Sequence, residues 1–419
     1  MTGSRSTVFL IIILLLSRLL PGQAGDEIDW KYEIDLLGKE LAQRHSNLFF
    51  KTDSASFYNS LARIAHAAEG HSLFDISVQL QQAIARLGDA HTRINFHFNI
   101  NGGSILPLEC YWFEDGIYVL RTRAIYSELL GKKLTAINGH PMDQIVDSMS
   151  TLIVSENPYL LKSQFPRMLT WTPLLVYFGF AQPNKLSLEY RDSLGLVKEL
   201  EVTLSGVTGK ETGLNTEDLP LSWKDQKSFF RDRYYPEDRI YYIQYNKCWS
   251  REVEKEYGTG ASALFMPSFK EFEKKVFQTI KKQNINKLVF DMRFNGGGNS
   301  DQGTKFIQKL SNARFKGHGN FYVIVGRQTF SSAIRNTVDF MNHAEILLIG
   351  EGTGGRPNHF GDVQRFVLPE SNLVVTYSTK YFKILEDDIP CLIPDILTPI
   401  SYSQLKKGID PAMEFIRNH

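Results

Sequence analysis

The sequence predicts an α/β fold whose core is a mainly parallel sheet. Three short apolar runs have the length and the β-branched or aromatic content of buried strands: Leu288–Phe290, Phe321–Val325 and Ile346–Ile349. Two segments of helical periodicity separate them, which indicates a βαβαβ unit over residues 287–360. Such a sheet places its chemistry at the carboxyl ends of its strands, where this chain carries three distinctive loops.

The loop after the first of these strands contains three consecutive glycines, Gly296, Gly297 and Gly298. Because glycine has no Cβ and tolerates positive φ, backbone N–H groups here can point into a cleft. An oxyanion hole would use such groups. A phosphate cradle is disfavoured, since the sequence has neither a Gly-Lys-Ser/Thr ending nor a GxGxxG spacing. A tight turn without a ligand is the remaining alternative.

The second strand is followed by Thr329-Phe330-Ser331-Ser332 and then by a helical pattern. A serine on a sharp strand-to-helix turn is exposed, and the N–H of the next residue lacks a helical partner. This arrangement suits a nucleophile, because oxyanion donors from the neighbouring glycine loop would face the same pocket. The alternative is that Ser331 or Ser332 only caps the helix.

The motifs DMRFNGGGNS, TFSSA and GEGTGGRPNHFG together resemble the core of the S41 serine peptidases, the superfamily of the tail-specific (C-terminal-processing) proteases and the tricorn core. The resemblance implies a ClpP/crotonase-like α/β core and serine-type hydrolysis of a peptide or protein substrate, with no cofactor. It also implies that Ser331 is the nucleophile. The oxyanion donors would be the N–H groups of Ser332 and Gly297.

One position departs from the tail-specific branch, which pairs its serine with a lysine. Arg356 stands there instead, and arginine stays protonated and cannot act as a base. The histidine-using branches take their base from far upstream, and His91 lies in a similar Leu-Gly-Asp-x-His-Thr turn. A local hydrogen bond of His91 to Asp89 or Thr92 is the alternative role. His359 is the rival base or a substrate-binding residue, and Arg356 is predicted to bind a substrate carboxylate.

A carboxylate that orients the histidine is expected, but its identity stays open. Glu351 lies at the end of the third strand, and Asp388 lies in an acidic loop near the position where tricorn-like members keep such a group. The two are equal candidates, and a serine–histidine dyad without an acid is a third alternative. Simple surface placement is the other interpretation of the acidic loop.

The chain divides into five predicted segments. Arg5, an apolar run from Val8 to Leu16 and small residues up to Ala24 are typical of a secretory signal peptide, so a secreted or extracytoplasmic protein is expected. The run is short and interrupted by Arg18, so no stable membrane span is expected, although an uncleaved anchor remains an alternative. The segments are 1–24, signal peptide; 25–100, N-terminal helical module; 101–208, β-rich subdomain, either PDZ-like or without a ligand; 209–236, linker; and 237–419, peptidase core.

Composition excludes some functions. The net charge is +1 and 22% of residues are charged, so nucleic-acid binding has no support. The three cysteines are far apart without a CxxC motif, which predicts no metal site and at most one disulfide. Two further functions remain compatible with the sequence. They are a non-catalytic secreted protein that binds a ligand or peptide on the same fold, and an esterase or amidase acting on small substrates.

Overall fold

The structure, a computed structural model, describes residues 28–419 except for 96–104, 155, 184, 193, 204–208, 225 and 314–319. The signal peptide predicted at residues 1–24 lies outside the described residues. Within the described part of the chain, no helix has the length and apolar character needed to cross a membrane.

The N-terminal module is helical, as predicted. Its elements are α1 (Trp30–Arg44), α2 (Ser54–His66), α3 (Leu73–Ala85) and the short strand β1 (Arg93–Asn95). Each helix begins at a side-chain cap: Asp29, Asp53 and Ser72 accept backbone N–H groups of the first turn. The apolar faces of the three helices pack in one core with Leu373 and Val375 from the C-terminal end of the chain.

The following region is a mainly antiparallel sheet with a helical insertion, as predicted. Its elements are β2 (Leu108–Phe113), β3 (Gly116–Arg123), β4 (Lys133–Ile137), β5 (His140–Pro141), α4 (Met142–Ser150), α5 (Pro158–Met168), α6 (Thr172–Tyr177), β6 (Lys185–Arg191) and β7 (Val197–Thr203). The strand order is β2-β3-β4-β6-β7, and β5 pairs with β4. The three helices stand between β5 and β6 along the chain.

The segment 209–236, predicted as a linker, contains regular structure instead. It forms β8 (Glu211–Gly213), α7 (Leu221–Lys224) and β9 (Phe230–Tyr235). β8 pairs with β3, and β9 is the antiparallel edge strand of the core sheet. Its polar composition suggested a linker, but edge strands commonly carry charged residues, which β9 does at Arg231, Asp232 and Arg233.

The C-terminal domain contains the predicted βαβαβ unit. Its elements are β10 (Ile240–Tyr245), α8 (Arg251–Tyr257), α9 (Phe269–Lys282), β11 (Lys287–Asp291), α10 (Ser300–Ser311), β12 (Phe321–Val325), α11 (Ser332–His343), β13 (Leu347–Gly350), β14 (His359–Val367), β15 (Val374–Phe382), β16 (Ile396–Leu397), α12 (Tyr402–Lys406) and α13 (Pro411–Asn418). The core sheet has the order β16-β13-β12-β11-β10-β9, and all of its pairs except β10–β9 are parallel. Apolar clusters cover both of its faces, which explains why β10 and β12 are buried throughout.

A second, three-stranded sheet joins the N-terminal module to the C-terminal domain. β1 pairs with β15 in the register Arg93 to Thr376, and β15 pairs with β14. β1 directly follows the turn that carries His91, and β14 follows the loop at the end of β13. The sheet therefore brings the upstream histidine turn to the edge of the core sheet where the predicted serine and glycine loops lie.

Candidate active site

Ser331 lies on a sharp turn between β12 and α11. It occupies the N-cap position of α11 without a side-chain capping hydrogen bond, and its φ of +53° and ψ of −124° lie in a region that residues other than glycine rarely adopt. Neighbouring hydrogen bonds hold the turn: the Phe330 N–H donates to the Asn295 carbonyl at 3.0 Å, and Thr329 Oγ1 donates to the Met292 carbonyl at 2.9 Å. The strained turn leaves the Ser331 side chain partly exposed.

His91 is in contact with Ser331 although 240 positions separate them in the chain. Its Nε2 lies 3.3 Å from Ser331 Oγ. The imidazole packs against the Phe330 ring with centroids 4.9 Å apart, and Thr376 Oγ1 donates to the His91 carbonyl at 3.0 Å. The structure thus brings the predicted nucleophile and the predicted base within hydrogen-bond distance of each other, at the slightly long separation common in sites without substrate.

Asp89 is the carboxylate that faces His91. The backbone N–H of His91 donates to Asp89 Oδ1 at 3.0 Å, and the imidazole Nδ1 of His91 lies 3.7 Å from the same oxygen. The second distance is too long for a hydrogen bond but within range of an ion pair. From the sequence alone, Asp89 is predicted only as a local hydrogen-bond partner of His91. The signal was the Asp-x-His spacing on a tight turn, which puts the carboxylate beside the imidazole.

The other oxygen of Asp89 accepts two further hydrogen bonds, from His45 Nε2 at 3.1 Å and from Thr92 Oγ1 at 2.5 Å. Because the Asn47 N–H donates to His45 Nδ1, the proton of neutral His45 must be on Nε2. Burial by itself would raise the pKa of Asp89, but the hydrogen bond from His45, the nearby His91 imidazole and the hydrogen bond from Thr92 outweigh it and lower the pKa. Asp89 is therefore held as a carboxylate.

His359, the predicted rival base, lies beside His91. The two rings are stacked with centroids 5.9 Å apart. The Nδ1–H of His359 donates to the Pro357 carbonyl at 2.8 Å, and burial together with the charge of His91 lowers the pKa of His359. Of these two histidines, only His91 forms a hydrogen bond to Ser331 in the part of the chain that the structure describes.

Gly297 lies against Ser331. Its φ is +102°, and a Cβ added to it would lie 3.0 Å from Ser331 Cβ. Its N–H, predicted as an oxyanion donor, donates to Asn295 Oδ1 at 2.9 Å in this conformation. The reason is local, because an asparagine side chain readily accepts the N–H two residues ahead. The predicted role of Gly297 as a donor is therefore not supported by its hydrogen bonding.

Two other backbone N–H groups belong to the same pair of loops. Those of Ser332 and Gly298 have no acceptor among the described residues. Ser332 also ties the two loops together, since its Oγ donates to the Gly298 carbonyl at 2.7 Å. The prediction that Ser332 offers a backbone donor agrees with this geometry, and Gly298 is the glycine-loop residue that offers a second one.

Glu351 and Asp388, the predicted acids, both form ion pairs with arginines. Glu351 accepts from Arg327, whose Nε lies 2.9 Å from Oε2, and Asp388 accepts from Arg356 Nη2 at 2.8 Å. Within the described residues, neither carboxylate contacts His91. The expectation that one of them orients the histidine is thus not supported. Arg356, predicted to bind a substrate carboxylate, already holds one from the chain itself.

An open cleft adjoins the nucleophile. It has a volume of about 710 Å³, and Gly296, Gly297 and Phe330 line it at the end next to Ser331. Residues of β2 and of helix α5 form its walls. The cleft is large enough for several residues of an extended peptide.

The described residues contain no group of three side chains suited to hold a metal ion. Cys110, Cys248 and Cys391 are all unpaired.

Neither a protein-family model nor a curated relative matches the sequence. Solved structures do match. Mature CPAF in complex with lactacystin superimposes with a TM-score of 0.64 and 13% identity, over 93% of this chain and 97% of that chain. A second structure of mature CPAF gives a TM-score of 0.62, also at 13% identity, over 93% and 95%. The chain therefore has an S41-like peptidase fold. The predicted α/β class is confirmed.

The photosystem II D1 C-terminal processing protease also aligns with 92% of this chain, at a TM-score of 0.40 and 12% identity over 99% of that chain. This similarity is too low to support an argument. At 13% identity, the likeness to CPAF concerns the fold, so the chemistry of the site depends on its own residues.

Proposed function

We propose that this protein is a serine peptidase with Ser331 as nucleophile and His91 as general base. The observation that carries the proposal is the 3.3 Å approach of His91 Nε2 to Ser331 Oγ on a strained strand-to-helix turn. A serine held in this way beside a histidine, with open backbone N–H groups at the same place, has the parts that acyl transfer needs.

Asp89 positions the base. Its carboxylate favours the tautomer in which His91 Nδ1 carries the proton, so that the lone pair of Nε2 faces the serine. As Ser331 Oγ attacks a substrate carbonyl carbon, its proton passes to Nε2. The resulting imidazolium is attracted to Asp89, and we expect the 3.7 Å separation of Nδ1 from Oδ1 to shorten at that stage.

The oxyanion of the tetrahedral intermediate would accept hydrogen bonds from the N–H groups of Ser332 and Gly298. The N-terminus of α11 adds its partial positive charge. Each such donor contributes about 3 kcal/mol of transition-state stabilisation. His91 then gives its proton to the departing amine. A water molecule, activated by the same histidine, hydrolyses the acyl-enzyme and restores Ser331.

Peptide hydrolysis fits the site better than action on small esters. The cleft beside Ser331 has a volume of about 710 Å³, whereas a small acyl substrate requires only a small pocket next to the nucleophile. The cleft therefore supports an extended substrate.

The test is turnover of a mixed peptide pool by the purified full chain, followed by mass spectrometry. Wild type should cleave peptides, and Ser331→Ala and His91→Ala should each lose about a thousandfold or more in rate while keeping the wild-type melting temperature. Cleavage by Ser331→Ala at the wild-type rate would contradict the proposal. Hydrolysis of small esters alone would favour the esterase, and peptide binding without turnover would favour the non-catalytic binding protein.

A further inference from the structure

The walls of the cleft beside Ser331 carry positive charge without a matching negative charge. Lys162 and Arg167 on α5 and Lys247 after β10 all line the cleft. In the described part of the chain, no carboxylate lies within ion-pair distance of any of these three cations. Arg167 and Lys247 are exposed, and Lys162 is half-buried.

The other two charged residues that line the cleft are each paired with a residue of opposite charge. Arg327 is paired with Glu351, and the one carboxylate among the described lining residues, Glu109, accepts from Arg121 Nε at 3.0 Å. Neither pair offsets the lysines and the arginine. The cleft is therefore positive in a protein whose net charge is only +1, and this charge is a local feature of the cleft.

Arg93 extends the positive region toward the histidine turn. Its own desolvation and the nearby charge of Arg167 both lower the pKa of Arg93, and no carboxylate in the described chain pairs with either guanidinium. Two guanidinium groups that feel each other's charge repel, and an anion bound near both relieves the repulsion. Such an arrangement suits a carboxylate, which a guanidinium binds through two parallel hydrogen bonds.

The cleft that holds the cations adjoins the reaction centre. Two residues that line the cleft are next to Ser331: Gly297 lies against it in space, and Phe330 precedes it in the chain. A substrate that runs from the nucleophile through this cleft passes Lys162 and Arg167 on one wall and Lys247 on another. Several cations on separate elements can meet more than one carboxylate of an extended chain.

From this geometry we propose that the preferred substrates are peptides with aspartate or glutamate side chains close to the scissile bond, held by Lys162, Arg167 and Lys247. This inference rests on the proposed peptidase function. The residue predicted for carboxylate binding, Arg356, is paired with Asp388 and does not line the cleft.

The preference can be measured with peptides acetylated at the N-terminus and amidated at the C-terminus, so that side chains supply the only carboxylates. One position at a time carries Glu, Gln or Lys. Wild type should cleave the best Glu peptide with a kcat/KM about tenfold above its Gln counterpart, and higher salt should reduce the difference. Equal cleavage of the Glu and Gln peptides would overturn the inference, as would a preference that requires a free C-terminus.

Charge reversal identifies the residues responsible. Lys162→Glu and Arg167→Glu should each reverse the preference toward the Lys peptide. Lys274→Glu is the matched control, because Lys274 is an exposed lysine on α9 outside the cleft, and it should keep the wild-type preference. A preference for Glu that survives both cleft variants would contradict the assignment.

A binding measurement separates this inference from the proposed chemistry. Ser331→Ala should bind a fluorescent Glu peptide more tightly than its Gln counterpart, with a difference that Arg167→Glu removes. If Ser331 reacts with a fluorophosphonate and peptides are cleaved without charge preference, only the acidic-substrate inference fails. If Ser331 is unreactive and the Glu peptide still binds selectively, the peptidase function fails and the acidic site stands.

Discussion

Asp89 is placed to orient the imidazole of His91 toward Ser331. It is buried, it accepts hydrogen bonds from His45 Nε2 and Thr92 Oγ1, and it still has an oxygen 3.7 Å from His91 Nδ1. Because its two oxygens are fixed by residues from separate parts of the N-terminal module, the carboxylate has little freedom to turn away from the histidine. If Asp89 positions His91, its replacement should lower kcat, whereas replacement of an exposed carboxylate should not.

Asp89→Asn should reduce kcat about a hundredfold or more with little change in KM, because an amide no longer favours the Nδ1–H tautomer of His91. The measurement is the steady-state kinetics of peptide cleavage. Asp388→Asn is the matched control. It removes the same charge from a residue paired with Arg356, and it should change kcat by less than about threefold. If Asp388→Asn caused the larger loss, the assignment of the acid would be reversed.

The glycine loop allows a similarly matched pair. Gly297→Ala should abolish most of the activity, because the added Cβ would lie 3.0 Å from Ser331 Cβ and the residue has φ +102°. Gly296→Ala should keep nearly all of it, since a Cβ there meets no atom within 4 Å. Fluorophosphonate labelling rates and melting temperatures of the two variants test this. Equal losses in both would indicate a general sensitivity of the loop.

At the level of single residues, the sequence predicted the contact of Ser331 with His91 but no ionic contact of His91 with Asp89. The motifs around the serine, the glycines and the upstream histidine turn are local, and local patterns are visible in a sequence. The ion pairs of Glu351 with Arg327 and Asp388 with Arg356 depend on tertiary contacts. Their existence could not be deduced from spacing along the chain.

The small sheet formed by β1, β15 and β14 positions the histidine. β1 pairs with β15 directly after the His91 turn, and Thr376 on β15 donates its hydroxyl to the His91 carbonyl. The backbone of the turn is therefore fixed to the C-terminal domain rather than only to the helical module. Any loosening of this pairing should move His91 Nε2 relative to Ser331 Oγ.

Thr376→Val should slow fluorophosphonate labelling of Ser331 by about tenfold, because catalysis is sensitive to small displacements of a base. Its effect on the free energy of unfolding should be only about 1 kcal/mol, the usual contribution of one hydrogen bond. Thr379→Val on the same strand is the control, since its hydroxyl donates at 2.7 Å to the carbonyl of Asp362 and does not touch the turn. Equal labelling rates for the two variants would argue against the positioning role of Thr376.

The elements themselves were predictable to different degrees. Buried parallel strands are continuous apolar runs, so β11, β12 and β13 could be predicted from composition alone. β9 could not, because an exposed edge strand needs no apolar pattern and Phe230–Tyr235 is rich in charge. The pairing of β1 with β15 joins segments from opposite ends of the chain, and no local pattern specifies it.

On the scale of the whole molecule, Glu156 links stability to pH. Its pKa is raised to about 7, chiefly by burial; the positive charges of Arg356 and Lys51 oppose the rise, and the charge of Asp89 adds to it. When the pKa of a carboxyl group is higher in the folded state than in the unfolded state, the group stabilises the folded state. This contribution is complete at pH values below the unfolded-state pKa, which is near 4.5. That contribution is lost as the pH rises through about 7.

Glu156→Gln should therefore raise the melting temperature at pH 8 by about 2 °C or more and leave it nearly unchanged at pH 4. The measurement is a series of thermal unfolding curves from pH 4 to pH 9 on wild type and variant. A variant that lowered the melting temperature equally at all pH values would show that Glu156 is bound as a carboxylate and that its burial is compensated.

We propose an extracytoplasmic location because residues 1–24 have the pattern of a signal peptide. If residues 1–24 act as a signal peptide, the protein exported by a secreting host should begin at Gly25, as N-terminal sequencing can determine. Retention of the intact N-terminus in the membrane fraction would instead favour the uncleaved anchor.

If Ser331 and His91 form one reactive unit, a fluorophosphonate should show it. The experiment labels the purified full chain and locates the label by mass spectrometry, in wild type, Ser331→Ala, His91→Ala and His359→Ala. We expect the label on Ser331 in wild type and in His359→Ala, and none in Ser331→Ala or His91→Ala. Full labelling of His91→Ala, or no labelling of a folded wild type, would contradict this expectation.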